Sequence, residues 1–212
     1  MRRRAVLLGV LAASCASPEP TYYTLAPVPG ASAPGAAASG SATPAGGGPR
    51  TVQLRRPGLA GYLDRPEIVR GGGPYQLRVA GTERWGEPLG DLIGRVTAEN
   101  LAARLPGTTV FTEAGSITAD PDTTVELDVQ RFDADAAGQV SLLAQVSVQR
   151  GRDWEGARTR TLRLTATPAS DSTADLVAAM SRVLGQLADE VAAMLRDGAR
   201  TTARPVSRRG RR

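Results

Sequence analysis

The side chains that most often carry catalysis are scarce in this chain. Its 212 residues include no histidine and one cysteine, and every basic residue is arginine. These absences remove Ser–His–Asp and Cys–His nucleophilic sites, imidazole general bases and nearly all transition-metal sites. A serine nucleophile served by a lysine base is excluded for the same reason. Two carboxylate pairs are close in sequence, Asp64 with Glu67 and Asp133 with Asp135. A pair converging in a pocket could protonate a leaving group and activate water, although solvated acidic loops are far commoner than such dyads. Gly71-Gly-Gly-Pro74 lacks the Lys-Ser/Thr of a phosphate loop and leads into a strand, not a helix. The residue types therefore point to a protein that binds, without a cofactor, and does not catalyse.

The single cysteine has its own context. Arg2, Arg3 and Arg4 precede a short apolar run from Ala5 to Ala13, then Ser14-Cys15. That run is well short of the ~20 residues that span a bilayer and reads as a secretion signal. Small residues before a lone cysteine at this distance match the bacterial lipobox, in which the thiol takes up lipid, acyl chains such as palmitate included, and becomes the new N-terminus. Ala12 stands where leucine is commonest. The alternative is an ordinary signal peptide with Cys15 an incidental thiol, but an exported protein with one unpaired cysteine needs an explanation. No other segment is apolar for long enough to span, so the expected mature protein is anchored to a membrane through Cys15.

The formal net charge of +5 invites a nucleic-acid reading until its location is considered. Nine of the 26 basic residues lie at the ends, three in the leader and six among Arg200, Arg204, Arg208, Arg209, Arg211 and Arg212, leaving 17 against 21 acidic residues. The body is mildly acidic, and with export expected no nucleic acid is a partner. The tail would touch anionic headgroups or acidic partners, or simply solubilise the chain.

Binding residues need elements to hold them. After the leader (1–14), residues 15–26 form a tether and a first strand at Thr21–Leu25. Residues 27–49 are almost wholly Ala, Gly, Pro and Ser, too poor in core-forming side chains to order, and read as a disordered insert. The ordered domain is expected over 50–197 and an Arg-rich disordered tail over 198–212. Within the domain, Thr51–Arg55, Ile68–Arg70 and Tyr75–Val79 alternate as strands around a turn at Gly71–Pro74. Glu87 to Leu105 switches to helical period, with Leu89, Leu92, Ile93, Val96, Leu101 and Ala103 on one stripe and Glu87, Asp91, Arg95 and Glu99 outside it. Thr124–Arg131, Gln139–Gln149 and Ala157–Thr167 follow as three strands joined by hairpin-length loops, hence consecutive and antiparallel. A last helix runs from Thr173 to Arg196, capped by Asp171 or Ser172 and ended by Asp197-Gly198. The economical assembly is a two-layer α+β domain, an antiparallel sheet with two amphipathic helices on one face. Its other face or edges could support a homo-oligomer.

Three segments in order carry a resemblance: Tyr22-Tyr-Thr-Leu25 after the lipidated cysteine, Gly61-Tyr-Leu-Asp-Arg-Pro-Glu-Ile-Val69, and Trp85-Gly-Glu-Pro-Leu-Gly-Asp-Leu-Ile93 running into Asn100-Leu-Ala-Ala-Arg-Leu105. The chain to about Arg196 resembles the ABC-type transport auxiliary lipoprotein family, of the paraquat-inducible protein C type. The insert and the arginine tail are not typical of it. The resemblance implies a periplasm-facing accessory lipoprotein, usually anchored in the outer membrane, that cooperates with an MCE-domain protein and a permease complex moving lipids across the envelope. Ala16 after Cys15 is compatible with outer-membrane sorting. Tyr62, Leu63, Asp64, Arg65 and Pro66 form the candidate partner-docking loop; the competing reading is a structural corner with Tyr62 and Leu63 packed inward and Asp64 paired with Arg65 or capping a turn. Trp85, just before the helix, reads as a core or hydrophobic-staple residue rather than an interface anchor, and Asn100, interrupting an apolar stripe, as a hydrogen-bond partner of a neighbouring loop. The rival for the whole chain is a structural envelope lipoprotein serving outer-membrane or lipopolysaccharide assembly.

Overall fold

The computed structural model describes residues 18–30, 48–73, 75–116, 119–151 and 157–202. Cys15, the leader, most of the Ala/Gly/Pro/Ser segment and the tail from residue 203 lie outside them. The strands are β1 (Thr21–Tyr23), β2 (Thr51–Leu54), β3 (Gly58–Leu59), β4 (Glu67–Gly73), β5 (Gln76–Trp85), β6 (Thr109–Thr112), β7 (Thr123–Ala134), β8 (Val140–Arg150) and β9 (Arg158–Ala166), and the helices are α1 (Leu89–Arg104) and α2 (Thr173–Thr202).

The three long strands β7, β8 and β9 pair consecutively and antiparallel, as the hairpin-length loops require. The first hairpin closes on Asp135, whose carboxylate accepts the Ala137 and Gln139 N–H groups, with Gly138 at φ 82 supplying the left-handed residue. Alternation puts Val125, Leu127 and Val129 of β7 and Val140, Leu142, Ala144, Val146 and Val148 of β8 into the core. β7 extends past the expected end at Arg131 because its register against β8 shifts between Val129 and Arg131. The extra residue reverses the alternation, so Phe132 and Ala134 return to the inner face.

The other edge of β7 is shared end to end by three short parallel strands, β2 at Val125, β3 at Val129 and β4 at Ala134. β5 pairs antiparallel with β4, β1 runs parallel to the far end of β5, and β6 runs parallel to β2. The sheet is thus antiparallel in its long strands, with parallel pairing confined to the short ones. β4 runs through Gly71 to Gly73, where a turn was expected. A Cβ on Gly71 would sit 2.8 Å from the Ala134 carbonyl oxygen, so glycine lets this strand approach β7.

Both helices cover one face of the sheet. Every apolar residue of the α2 stripe, from Leu176 to Leu195, is buried, and Ser172 caps the helix through the Asp175 N–H at 3.1 Å. α2 continues past Gly198 to Thr202, because a glycine ends a helix only where the chain turns left-handed. α1 begins after Pro88 and ends at Arg104, with Leu105 as its C-cap and Gly107 at φ 85 just beyond. Its buried face is wider than the expected stripe: Gly90, Gly94, Thr97, Ala98, Asn100 and Arg104 are buried as well, while Ala103 is exposed.

Candidate functional site

The corner from Ala60 to Pro66 connects β3 to β4 and is tied along its backbone. The Ala60 N–H donates to the Val129 carbonyl at 2.9 Å, Leu63 to Ala60 at 2.8 Å and Arg65 to Leu63 at 2.9 Å. The Pro66 carbonyl accepts from Trp85 at 2.7 Å, which locks the corner to the base of β5. Leu63 is buried in the main core, and so is Trp85, as expected.

Tyr62, half-buried, packs against the margin of that core and carries its hydroxyl to β7. Its hydroxyl donates to Asp133 Oδ2 at 2.6 Å, and Arg131 Nε donates to Oδ1 of the same carboxylate at 2.9 Å. Asp133 is 3 % exposed, so the two donors compensate a desolvated charge that would otherwise be costly. Burial first, then the hydrogen bond to Asp133, hold the Tyr62 hydroxyl well above the ordinary tyrosine range. An open groove of about 710 Å³ runs beside this trio, with Leu77 and Leu143 adding apolar surface.

The five residues of the candidate loop therefore divide. Tyr62 and Leu63 are the inward parts of a structural corner, while Asp64, Arg65 and Pro66 are exposed on its outside. Among the described residues Asp64 and Arg65 form no ion pair with each other or with a third group. The result is a short charged tip on a backbone held at both ends.

The carboxylate pairs do not assemble an acid–base site. Asp64 is exposed on the corner, while Glu67 opens β4 opposite Arg84 of β5. Asp133 serves Tyr62 and Arg131, while Asp135 builds the β7–β8 turn. Among the described residues no cluster of His, Cys, Asp and Glu could hold a metal ion.

A second polar centre lies between the helices. Asn100, 1 % exposed, accepts the Val28 N–H at 2.7 Å, which fulfils the expectation that it serves a neighbouring segment. One turn on, Arg104 donates to Asp189 at 2.6 Å, to the Val28 carbonyl at 3.1 Å and to the Asn100 carbonyl at 3.1 Å. Ser181 Oγ of α2 accepts the Ala26 N–H at 3.2 Å, and Leu25 is buried. Residues 24–30 thus form a strap across both helices. Sequence reading missed Arg104, although its spacing of four from Asn100 and eight from Val96 places it on the buried stripe.

A family model described as ABC-type transport auxiliary lipoprotein component matches residues 23–192. Two solved structures share the fold. One, an uncharacterised protein, is 17 % identical with a TM-score of 0.67, covering 84 % of this chain and 99 % of its own. The other, from Xanthomonas campestris, is 19 % identical with a TM-score of 0.65, covering 86 % and 98 %. At these identities the likeness carries the fold alone. Comparison with curated proteins finds no match.

Proposed function

Because the chain belongs to the family of ABC-type transport auxiliary lipoprotein components, we propose that it is the lipid-anchored, periplasm-facing accessory subunit of an MCE-type lipid transporter, of the paraquat-inducible protein C kind. It is a non-catalytic accessory domain, so its contribution is to bind. In this reading the chain is cut before Cys15, carries lipid on that cysteine, and sits in the envelope, in the outer membrane. Its partners are an MCE-domain protein and the permease complex behind it.

The observation that carries the partner-binding part is the corner itself. The Tyr62–Asp133–Arg131 trio and the backbone bonds on either side fix its shape before any partner arrives, so little ordering entropy is lost on docking. Asp64, Arg65 and Pro66 then offer two charges of opposite sign and a rigid ring to a complementary surface.

The test is a pull-down of the mature protein from solubilised envelopes, beside Cys15→Ala and an Asp64→Ala/Arg65→Ala double variant. The expected result is an MCE-domain protein recovered with the parent chain and reduced about tenfold with the double variant, the loss of roughly 1.4 kcal/mol of interface energy. Recovery of barrel-assembly proteins instead, or of nothing, would overturn the transport reading.

A further inference from the structure

Apolar side chains scattered singly over a surface need no explanation, whereas a cluster does. The exposed large hydrophobic residues among those described are Tyr22, Tyr75, Leu77 and Val79, at 62 %, 101 %, 50 % and 43 % exposure. All four belong to β1 or to the β4–β5 hairpin, at one margin of the sheet. Leu77 lines the groove beside Tyr62, Asp133 and Leu143, and Val79, two residues on along the strand, shares its face.

The direction of the chain gives this cluster a neighbour. β1 is parallel to β5 with Thr21 opposite Glu83, so the residues before Thr21 leave the fold along β5 toward its start. Leu77 precedes Glu83 by six residues, at most about 20 Å of strand. Cys15 precedes Thr21 by six residues as well, and a chain that long reaches at most about 20 Å. The lipid on Cys15 and the hairpin tip can thus reach one plane. Along the hairpin itself the charge agrees with this placement, the carboxylates nearest Leu77 being those of Asp133 and Asp135 in the groove it borders. No acidic residue lies between Gln76 and Thr82, and Arg78 is exposed there with no carboxylate partner among the described residues.

We infer that the tip of the β4–β5 hairpin is a second membrane contact, with Tyr75, Leu77 and Val79 resting in the headgroup region of the leaflet that holds the lipid of Cys15. Tyrosine suits that depth because its ring is apolar and its hydroxyl stays wet. Arg78 lies within reach of anionic headgroups. Two contacts fix the tilt of the domain above the bilayer, where a tether alone leaves it free to rotate. This inference rests on the lipidation of Cys15 proposed above.

The experiment uses the mature lipoprotein in vesicles of phosphatidylethanolamine and phosphatidylglycerol. Single Leu77→Cys, Tyr75→Cys and Thr161→Cys variants carry an environment-sensitive fluorophore, Cys15 being blocked by its own lipid. Thr161 is an exposed control on β9, and circular dichroism verifies that each variant is folded. Nitroxide-labelled lipid is expected to quench the probes at residues 75 and 77 several-fold more than the probe at 161, with aqueous iodide giving the reverse order. Equal quenching at the three positions, with intact mass showing lipid on Cys15, overturns the contact and leaves the anchor standing. A mass without lipid overturns both. Shielding of residue 77 from iodide without quenching by lipid means that a second copy or another protein covers the hairpin, which also overturns the inference.

Discussion

Tyr62 illustrates how one side chain can read as a recognition residue and act as a strut. Its phenol covers a carboxylate that β7 has carried out of water, and its hydroxyl is one of two donors to that charge. Tyr62→Phe removes the donor and keeps the ring. The expected cost is about 1–3 kcal/mol of unfolding free energy in urea titration, the penalty for under-satisfying a buried acceptor. The variant also has a pH signature. The folded-state pKa of Tyr62 lies above its ordinary value of 10.0, so the unfolded chain gives up that proton first. The stabilisation is therefore fully present below about pH 10 and falls as pH rises further. Stability curves of the parent and Tyr62→Phe should converge above pH 10. Curves that stay parallel would mean that the hydroxyl is not coupled to Asp133.

At the scale of elements, the two helices are held together by more than their apolar stripes. Arg104 crosses from α1 to Asp189 on α2 and also holds the strap through the Val28 carbonyl. Its side chain is 5 % exposed and that of Asp189 is 53 % exposed, so the carboxylate could return to water if the arginine were lost, while the Val28 and Asn100 carbonyls would lose their donor. Arg104→Met should destabilise by about 2–3 kcal/mol. Hydrogen exchange at the Ala26 and Val28 amides should quicken well before exchange in β7 or β8. Arg104→Lys should recover little, because one ammonium nitrogen cannot stand at the Nε, Nη1 and Nη2 positions from which the fork reaches Asp189, Val28 and Asn100. Unchanged protection at Val28 in either variant would contradict the strap.

At the scale of the molecule, a long low-complexity stretch separates the strap from β2, yet both pack on the same core. Its Ala, Gly, Pro and Ser composition offers few side chains worth burying, so its main effect on stability is expected through loop entropy. Halving residues 31–47 should change stability by about 0.6 kcal/mol, read from the midpoint of urea unfolding. A loss of several kcal/mol would show that the segment has contacts of its own.

Much of this architecture is legible in one dimension. Period-2 alternation marks β8 and β9, period-3.6 spacing marks α1 and α2, and hairpin-length loops between long strands imply antiparallel neighbours; these are local patterns set by backbone geometry. The lack of histidine and lysine closes off most catalytic chemistry from composition alone. Only the tertiary structure placed β3, which is too short to carry a period, β6, which pairs parallel with β2 from the far end of α1, and the bulge at Gln130, which breaks a period. It also separated Tyr62 and Leu63 from Asp64, Arg65 and Pro66. Whether a side chain meets a partner or water depends on residues such as Asp133, some seventy positions away. Arg104 is the same case: its charge argues for the surface, and only the packing of two helices and a strap around it supplies the acceptors that let it be buried.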